Sequence, residues 1–199
     1  MEVKDRIIEE AIRQFMKFGV RHVTMDDLAN NLAISKRTVY EVFKDKNELI
    51  TTCMQHLSWQ QEARQNELLD STQNVIELMI STMQEGIKAF NSINPVFFYD
   101  LKKYYPMVWN QKHLEQREKS LNHIHTQLRK GINEGLFRKD FDIELVSKLF
   151  YEQMNLIGDD TIFPKEDYNY ADLFKNLMIN FIRGISTRKG IDVIEQNLD

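Results

Sequence analysis

TMDDLANNLAISKRTVYEVFKDKNEL, residues 24–49, reads as two short helices joined by a tight turn and followed by the capped start of a third. Thr24 is placed to cap the first helix, with Asp27 three residues on. Ser35 is placed to cap the second, and Asp45 the third, with Glu48 at the reciprocal position of a capping box. Leu28, Ala29, Leu32, Ile34, Val39 and Val42 fall where two crossing helices share a small core. The outward face of the second helix carries Lys36, Arg37, Thr38 and Tyr40, and Lys44 and Lys46 follow directly. This is the layout of a helix-turn-helix whose second helix enters a DNA major groove. The ordinary alternative is that these cations form a solvated face.

Working outward, the rest of the chain is helical in pattern. Of 199 residues, only seven are glycine and three proline, and no Asn-Gly or Asp-Gly hairpin signal separates alternating apolar runs. The hydrophobic fraction of 42% supports a real core. One cysteine, Cys53, excludes an intramolecular disulfide and a cysteine-based zinc finger. No apolar run approaches the roughly 18 residues of a membrane span, and MEVKDRIIEE lacks a signal-peptide core, so a cytoplasmic protein without membrane association is expected. The net charge is −4, but residues 1–50 hold 9 basic and 9 acidic side chains, leaving 17 against 21 for the remainder. Local charge sets phosphate contact, so an acidic body does not bar a DNA-binding head.

Ile8, Ala11, Ile12, Phe15 and Phe18 give a first helix over about Lys4–Phe18, stopped by Gly19. The loop that follows holds His22, read as solvated. The helix begun at Asn47 keeps its stripe through Leu57 and then turns polar, so a domain boundary is placed near Gln55: residues 1–54 for DNA binding, 55–199 for a helical body. Val75 to Phe90 marks one body helix. Asn94-Pro95 opens an aromatic segment, and Pro106 starts another helix that runs to Gly135. Asp142 caps a helix expected to end at Gly158. Leu173, Phe174, Leu177, Met178, Phe181, Ile182 and Ile185 form a clean stripe after Pro164, and the tail from Gly190 reads as a short, weakly held helix.

The run Leu28-Ala29-x-x-x-Ala33-Ile34-Ser35-Lys36-Arg37-Thr38-Val39-Tyr40-x-x-Phe43-Lys44-x-Lys46-x-Glu48-Leu49 resembles the tetracycline-repressor (TetR) family of bacterial transcriptional regulators, with the specific match over about residues 5–50. The segment from Gly131 to Asp140 also resembles the junction before that family's last two helices. Three positions depart from the family's commonest pattern: Ala33 and Arg37 stand where glycine is frequent, and Val42 where histidine is. A left-handed Ala33 would bear strain on the order of 1 kcal/mol.

The resemblance implies an all-α fold, with a three-helix DNA-binding domain and a larger helical domain for ligand binding and dimerisation. It implies no enzyme activity and no cofactor. Lys36, Arg37 and Thr38 become candidates for base edges, and Tyr40 and Lys46 for phosphates, with Thr24 and Met25 at the start of the preceding helix in the same role; Ser35 and Lys44 complete the surface. A ligand cavity is implied among Met79, Met83, Phe97, Phe98, Tyr104, Tyr105, Trp109, Phe150 and Met154, residue types that suit an apolar or aromatic effector and equally suit a plain core. A two-fold dimer interface is implied for Leu145, Leu149, Phe174, Leu177, Met178 and Phe181, matching a palindromic operator in double-stranded DNA.

Enzyme and metal signals fail. His123 and His125, two apart on a helix, point to different faces. Asp159-Asp160 has no matching ligand cluster, no metal site is read, and no nucleotide-binding or triad motif is visible. Cys53 sits in an apolar stripe and reads as a buried, inert thiol. The preferred reading is a homodimeric repressor released by a small molecule. A same-fold regulator controlled by a protein partner, or acting as an activator, is the second, and an all-helical enzyme or adaptor the third.

Overall fold

Caps and hydrophobic spacing determine where the helices begin in the computed structural model, which describes residues 2–157, 159, 161–164 and 166–198. Among these residues there are ten helices and no strand: α1 (Val3–Phe18), α2 (Met25–Asn31), α3 (Lys36–Val42), α4 (Lys46–Ser71), α5 (Val75–Ser92), α6 (Val96–Tyr104), α7 (Pro106–Asn133), α8 (Ile143–Leu156), α9 (Tyr170–Ile185) and α10 (Arg188–Leu198). The fold is all-α, as the composition and periodicity imply. Gly158 and Asp160, read as a helix stop and part of an acidic loop, lie outside the described residues.

The chain gathers into two compact units. One, the head, holds residues up to Arg64 together with Ser92–Glu115; the other, the body, holds Gln65–Asn91 and the residues from Gln116 on. A split at Gln55 follows linear order, whereas compactness returns α6 and the first part of α7 to the head.

In the head, Ile7, Ile8, Ala11 and Phe15 of α1 close over Leu28, Ala29, Val39, Phe43, Leu49, Ile50 and Cys53. Phe18, expected in the α1 stripe, is 48% exposed, and Ile7 takes the buried place instead. The chain leaves α1 through Gly19 at φ 83°, where a Cβ would lie 2.7 Å from Val96 Cγ1 and from Asp100 Oδ2. Only glycine satisfies both the left-handed backbone and that close approach of α6. Asn94 fastens the start of α6: its N–H donates to Met16 O (2.9 Å), its amide to Lys17 O (3.1 Å), and its Oδ1 accepts from Val96 N (3.0 Å). Phe97 and Leu101 then enter the head core.

In the body, Ile76, Met79 and Met83 of α5, Leu128 of α7, Phe150 of α8 and Met178 and Ile182 of α9 form one core. Phe174 lies over Gly86, where any Cβ would collide with its ring, and 5.4 Å from the Phe90 ring. The Asp142 cap is formed, accepting from Glu144 N and Leu145 N. The tail is not weakly held. Ile194 is 1% exposed, and Thr187 bonds back to the Leu136 carbonyl before α10 begins. Ile191, Ile194 and Leu198, spaced three and four apart, give α10 a buried side that its polar residues obscured.

Candidate nucleic-acid interface

The helix-turn-helix is built as its caps require. Thr24 and Asp27 form a complete capping box: Asp27 N donates to Thr24 Oγ1 (3.1 Å), and Thr24 N and Oγ1 both donate to Asp27 Oδ2 (2.8 and 2.7 Å). These bonds, the hydroxyl's first, hold the Asp27 carboxyl below the usual carboxylate range. Ser35 Oγ accepts from Thr38 N at 3.0 Å and lies 2.8 Å from Thr38 Oγ1. Asp45 accepts from Glu48 N (2.9 Å), but Glu48 closes on Lys44 N (2.8 Å), one residue earlier than a standard box. The turn from α2 to α3 passes through Ala33 at φ 54°, the left-handed position that alanine occupies under strain. Ile34 N then donates to Ala29 O at 3.0 Å.

Val39, fully buried, fixes α3 on the core, so Lys36, Arg37 and Tyr40 face solvent and Thr38 is half-exposed. The two cations are paired. Lys36 Nζ donates to Asp26 of α2 at 2.9 Å, a contact that raises its pKa, and Arg37 Nε donates to Glu41 one turn along at 2.8 Å. Lys36 also lies 5.8 Å from the Tyr40 ring centroid. Lys44 is exposed.

Two of the expected phosphate contacts are placed otherwise. Met25 is buried at 5% exposure, so its side chain belongs to the core and only its backbone N–H stands at the start of α2. Lys46 folds inward. Its ammonium donates to the Arg21 carbonyl (3.3 Å) and lies 5.9 and 5.7 Å from the Phe15 and Tyr105 rings. Burial lowers its pKa, against the pull of Asp100 and Asp27. In this conformation Lys46 is a strut between α4 and the α1–α2 loop.

The residues read as a ligand cavity divide between two cores. Phe97 is buried in the head, Phe98, Tyr105 and Trp109 pack against that core, and Tyr104 is 37% exposed and accepts a hydrogen bond from Arg21. Met79, Met83 and Phe150 are buried in the body, with Met154 packed against them. Spacing alone did not reveal which core α6 would join. A buried acid in the run FFYDLKKYY was the available signal: Asp100 is 2% exposed and accepts from Arg21 N at 2.7 Å. Sequence reasoning missed both Asp100 and Arg21.

The residues read as a dimer interface also divide. Phe174 and Met178 are 7% and 5% exposed and fill the body core, because α9 needs its own inward stripe. Leu145 and Leu149 are 55% and 54% exposed on α8. Leu149, Leu177 and Phe181 line an open apolar groove of about 570 Å³ with Val146, Phe150 and Leu156, where Phe150 and Phe181 stack at 3.9 Å. Among the described residues, no group of three His, Cys, Asp or Glu is arranged to hold a metal, and no helix is long and apolar enough to cross a membrane.

Residues 7–53 match the family model of bacterial regulatory proteins of the tetR family. The chain is 26% identical over 147 residues to the HTH-type transcriptional repressor KstR2 of Mycobacterium tuberculosis, covering 72% of this chain and 73% of that protein. It is likewise 26% identical over 149 residues to the HTH-type transcriptional regulator YhgD of Bacillus subtilis (72% and 76% covered). Its fold matches a transcriptional regulator from Cytophaga hutchinsonii with a TM-score of 0.75 at 18% identity, over 92% of this chain and 98% of that one. It also matches a regulator from Saccharomonospora viridis, solved in complex with choline, with a TM-score of 0.72 at 17% identity (93% and 98% covered). The capped helix-turn-helix, the exposed cationic face of α3 and the match to the tetR family model fall on the same residues, so residues 7–53 form a helix-turn-helix of the tetR-family kind and the chain is a DNA-binding transcriptional regulator.

Proposed function

We propose that this regulator is a cytoplasmic homodimeric repressor that binds a palindromic operator through residues 1–54 and is released by a small-molecule effector held in the remaining helical domain. The observation that carries the dimer is the apolar groove on α8 and α9, with leucines half-exposed at its rim. Two such faces related by a two-fold axis would cover each other and hold two recognition helices for one operator. Lys36, Arg37 and Thr38 take base edges, and Tyr40, Lys44 and the start of α2 take phosphates. Because Lys36 and Arg37 each have a carboxylate partner, binding exchanges an ion pair for a base or phosphate contact. That exchange lowers the net gain from each contact.

The effector reading is supported by the body core, where Met79, Met83, Phe150 and Met154 supply adaptable, polarizable side chains. It is also supported by the choline held by the structurally similar Saccharomonospora viridis regulator. The effector's leverage is its differential affinity for the DNA-competent and DNA-incompetent states, on the order of 1–3 kcal/mol of coupling. The test is binding to a duplex from the protein's own upstream region. Tyr40→Phe is expected to weaken binding to all sequences alike, and Arg37→Ala to change base preference. Unchanged affinity and preference in both variants overturns the assignment.

A further inference from the structure

Two groups can be distinguished among the head's exposed cations. Arg13, Lys36 and Arg37 are each matched by a carboxylate, at 2.6, 2.9 and 2.8 Å. Arg21 and Lys103 stand on aromatic hydroxyls and rings instead, and among the described residues neither forms an ion pair with a carboxylate. Arg21 Nη1 donates to Tyr104 Oη at 2.8 Å, with its guanidinium 4.6 Å from that ring's centroid. Lys103 Nζ donates to Tyr99 Oη at 2.6 Å and lies 5.0 and 5.5 Å from the Tyr99 and Tyr104 rings. Both tyrosines are well exposed, at 44% and 37%. Asp100, the acid of this segment, is turned inward onto the Arg21 backbone N–H, so it anchors the loop. The patch adjoins the DNA-facing surface: Arg21 lies three residues before Thr24, and its carbonyl receives Lys46 from the start of α4.

We propose that Arg21 and Lys103, held on Tyr104 and Tyr99, bind the phosphate backbone of duplex DNA as a contact additional to the helix-turn-helix. This rests on the DNA-binding reading of the head. The chemistry fits a phosphodiester. A guanidinium with one N–H engaged by a tyrosine keeps the rest of its five donors for anionic oxygens, and an ammonium with one donor engaged keeps two. The rings restrict both side chains beforehand, which reduces the ordering cost of binding. The Tyr99 hydroxyl also raises the Lys103 pKa, which keeps it charged. Backbone contacts of this kind add affinity without sequence preference.

The experiment measures the dependence of log Kd on log salt for the full chain, on its operator duplex and on an unrelated duplex. The variants are Arg21→Gln, Lys103→Gln and the double variant, each checked for wild-type helicity and Tm. Each single substitution is expected to reduce the slope by about one and the double by about two, equally on both duplexes. Tyr104→Leu, which keeps both cations but removes their platform, is expected to weaken binding with a smaller slope change. A double variant with the wild-type slope overturns the proposal, whether or not its affinity falls, since a merely structural effect would leave the ion count unaltered. Failure of the wild-type chain to bind any duplex would instead overturn the DNA-binding reading itself.

Discussion

At the residue scale, Ala33 shows how a local cost can sit inside a functional motif. Its φ of 54° is left-handed, where a β-carbon meets the following carbonyl, and the α2–α3 turn leaves it no alternative because Ile34 must still bond to Ala29. Ala33→Gly is expected to relieve on the order of 1 kcal/mol, offset in part by the greater freedom of glycine in the unfolded chain. A small rise in Tm with unchanged α3 function is the outcome to look for, and a fall in Tm would mean the turn is not strained. Asp27 makes a second prediction at this scale. Its folded pKa lies below its unfolded one, so its stabilising contribution is complete above the unfolded value and is lost as pH falls through the folded value. A profile of Tm against pH for Asp27→Asn should lose part of the wild type's decline on the acid side. Cys53 conforms to its sequence reading, since burial pushes its thiol up to about 12 and makes it a poor nucleophile.

At the element scale, the capped starts were legible because capping depends on residues only two to four apart. Thr24, Ser35, Asp45 and Asp142 all cap as their sequence contexts imply. What was not legible depends on partners far along the chain. Lys46, at the start of the third helix, suits a phosphate contact by position, but its direction is set by Arg21 and Tyr105. The aromatic run of α6 suited a cavity and a core, and contacts with residues far along the chain, such as Asp100 with Arg21, 79 residues apart, assign it to the head. The α10 stripe was present in sequence but masked by its polar neighbours. Because Ile194 is almost fully enclosed, Ile194→Ala is expected to cost about 2–5 kcal/mol, read as a lowered urea midpoint. A loss below about 0.5 kcal/mol would return α10 to the weakly held helix its composition suggested.

At the scale of the whole molecule, charge and symmetry have to work together. The net charge is −4 while the first fifty residues are balanced, so a single head meets DNA with little long-range attraction. In the proposed dimer, two heads joined by one interface overcome this, because the second engages at a high effective concentration once the first is bound. The exposed leucines of α8 beside the groove are where that proposed joining can be broken without opening the core. Leu145 and Leu149 are 55% and 54% exposed there. Leu145→Glu with Leu149→Glu is therefore expected to leave helicity intact, shift sedimentation from dimer to monomer, and weaken operator binding by about 10²–10⁴-fold. Binding to an isolated half-site should change little, since each head keeps its own contacts. A double variant that stays dimeric would move the interface to another face. One that becomes monomeric yet binds the full operator undiminished would detach DNA recognition from two-fold symmetry altogether.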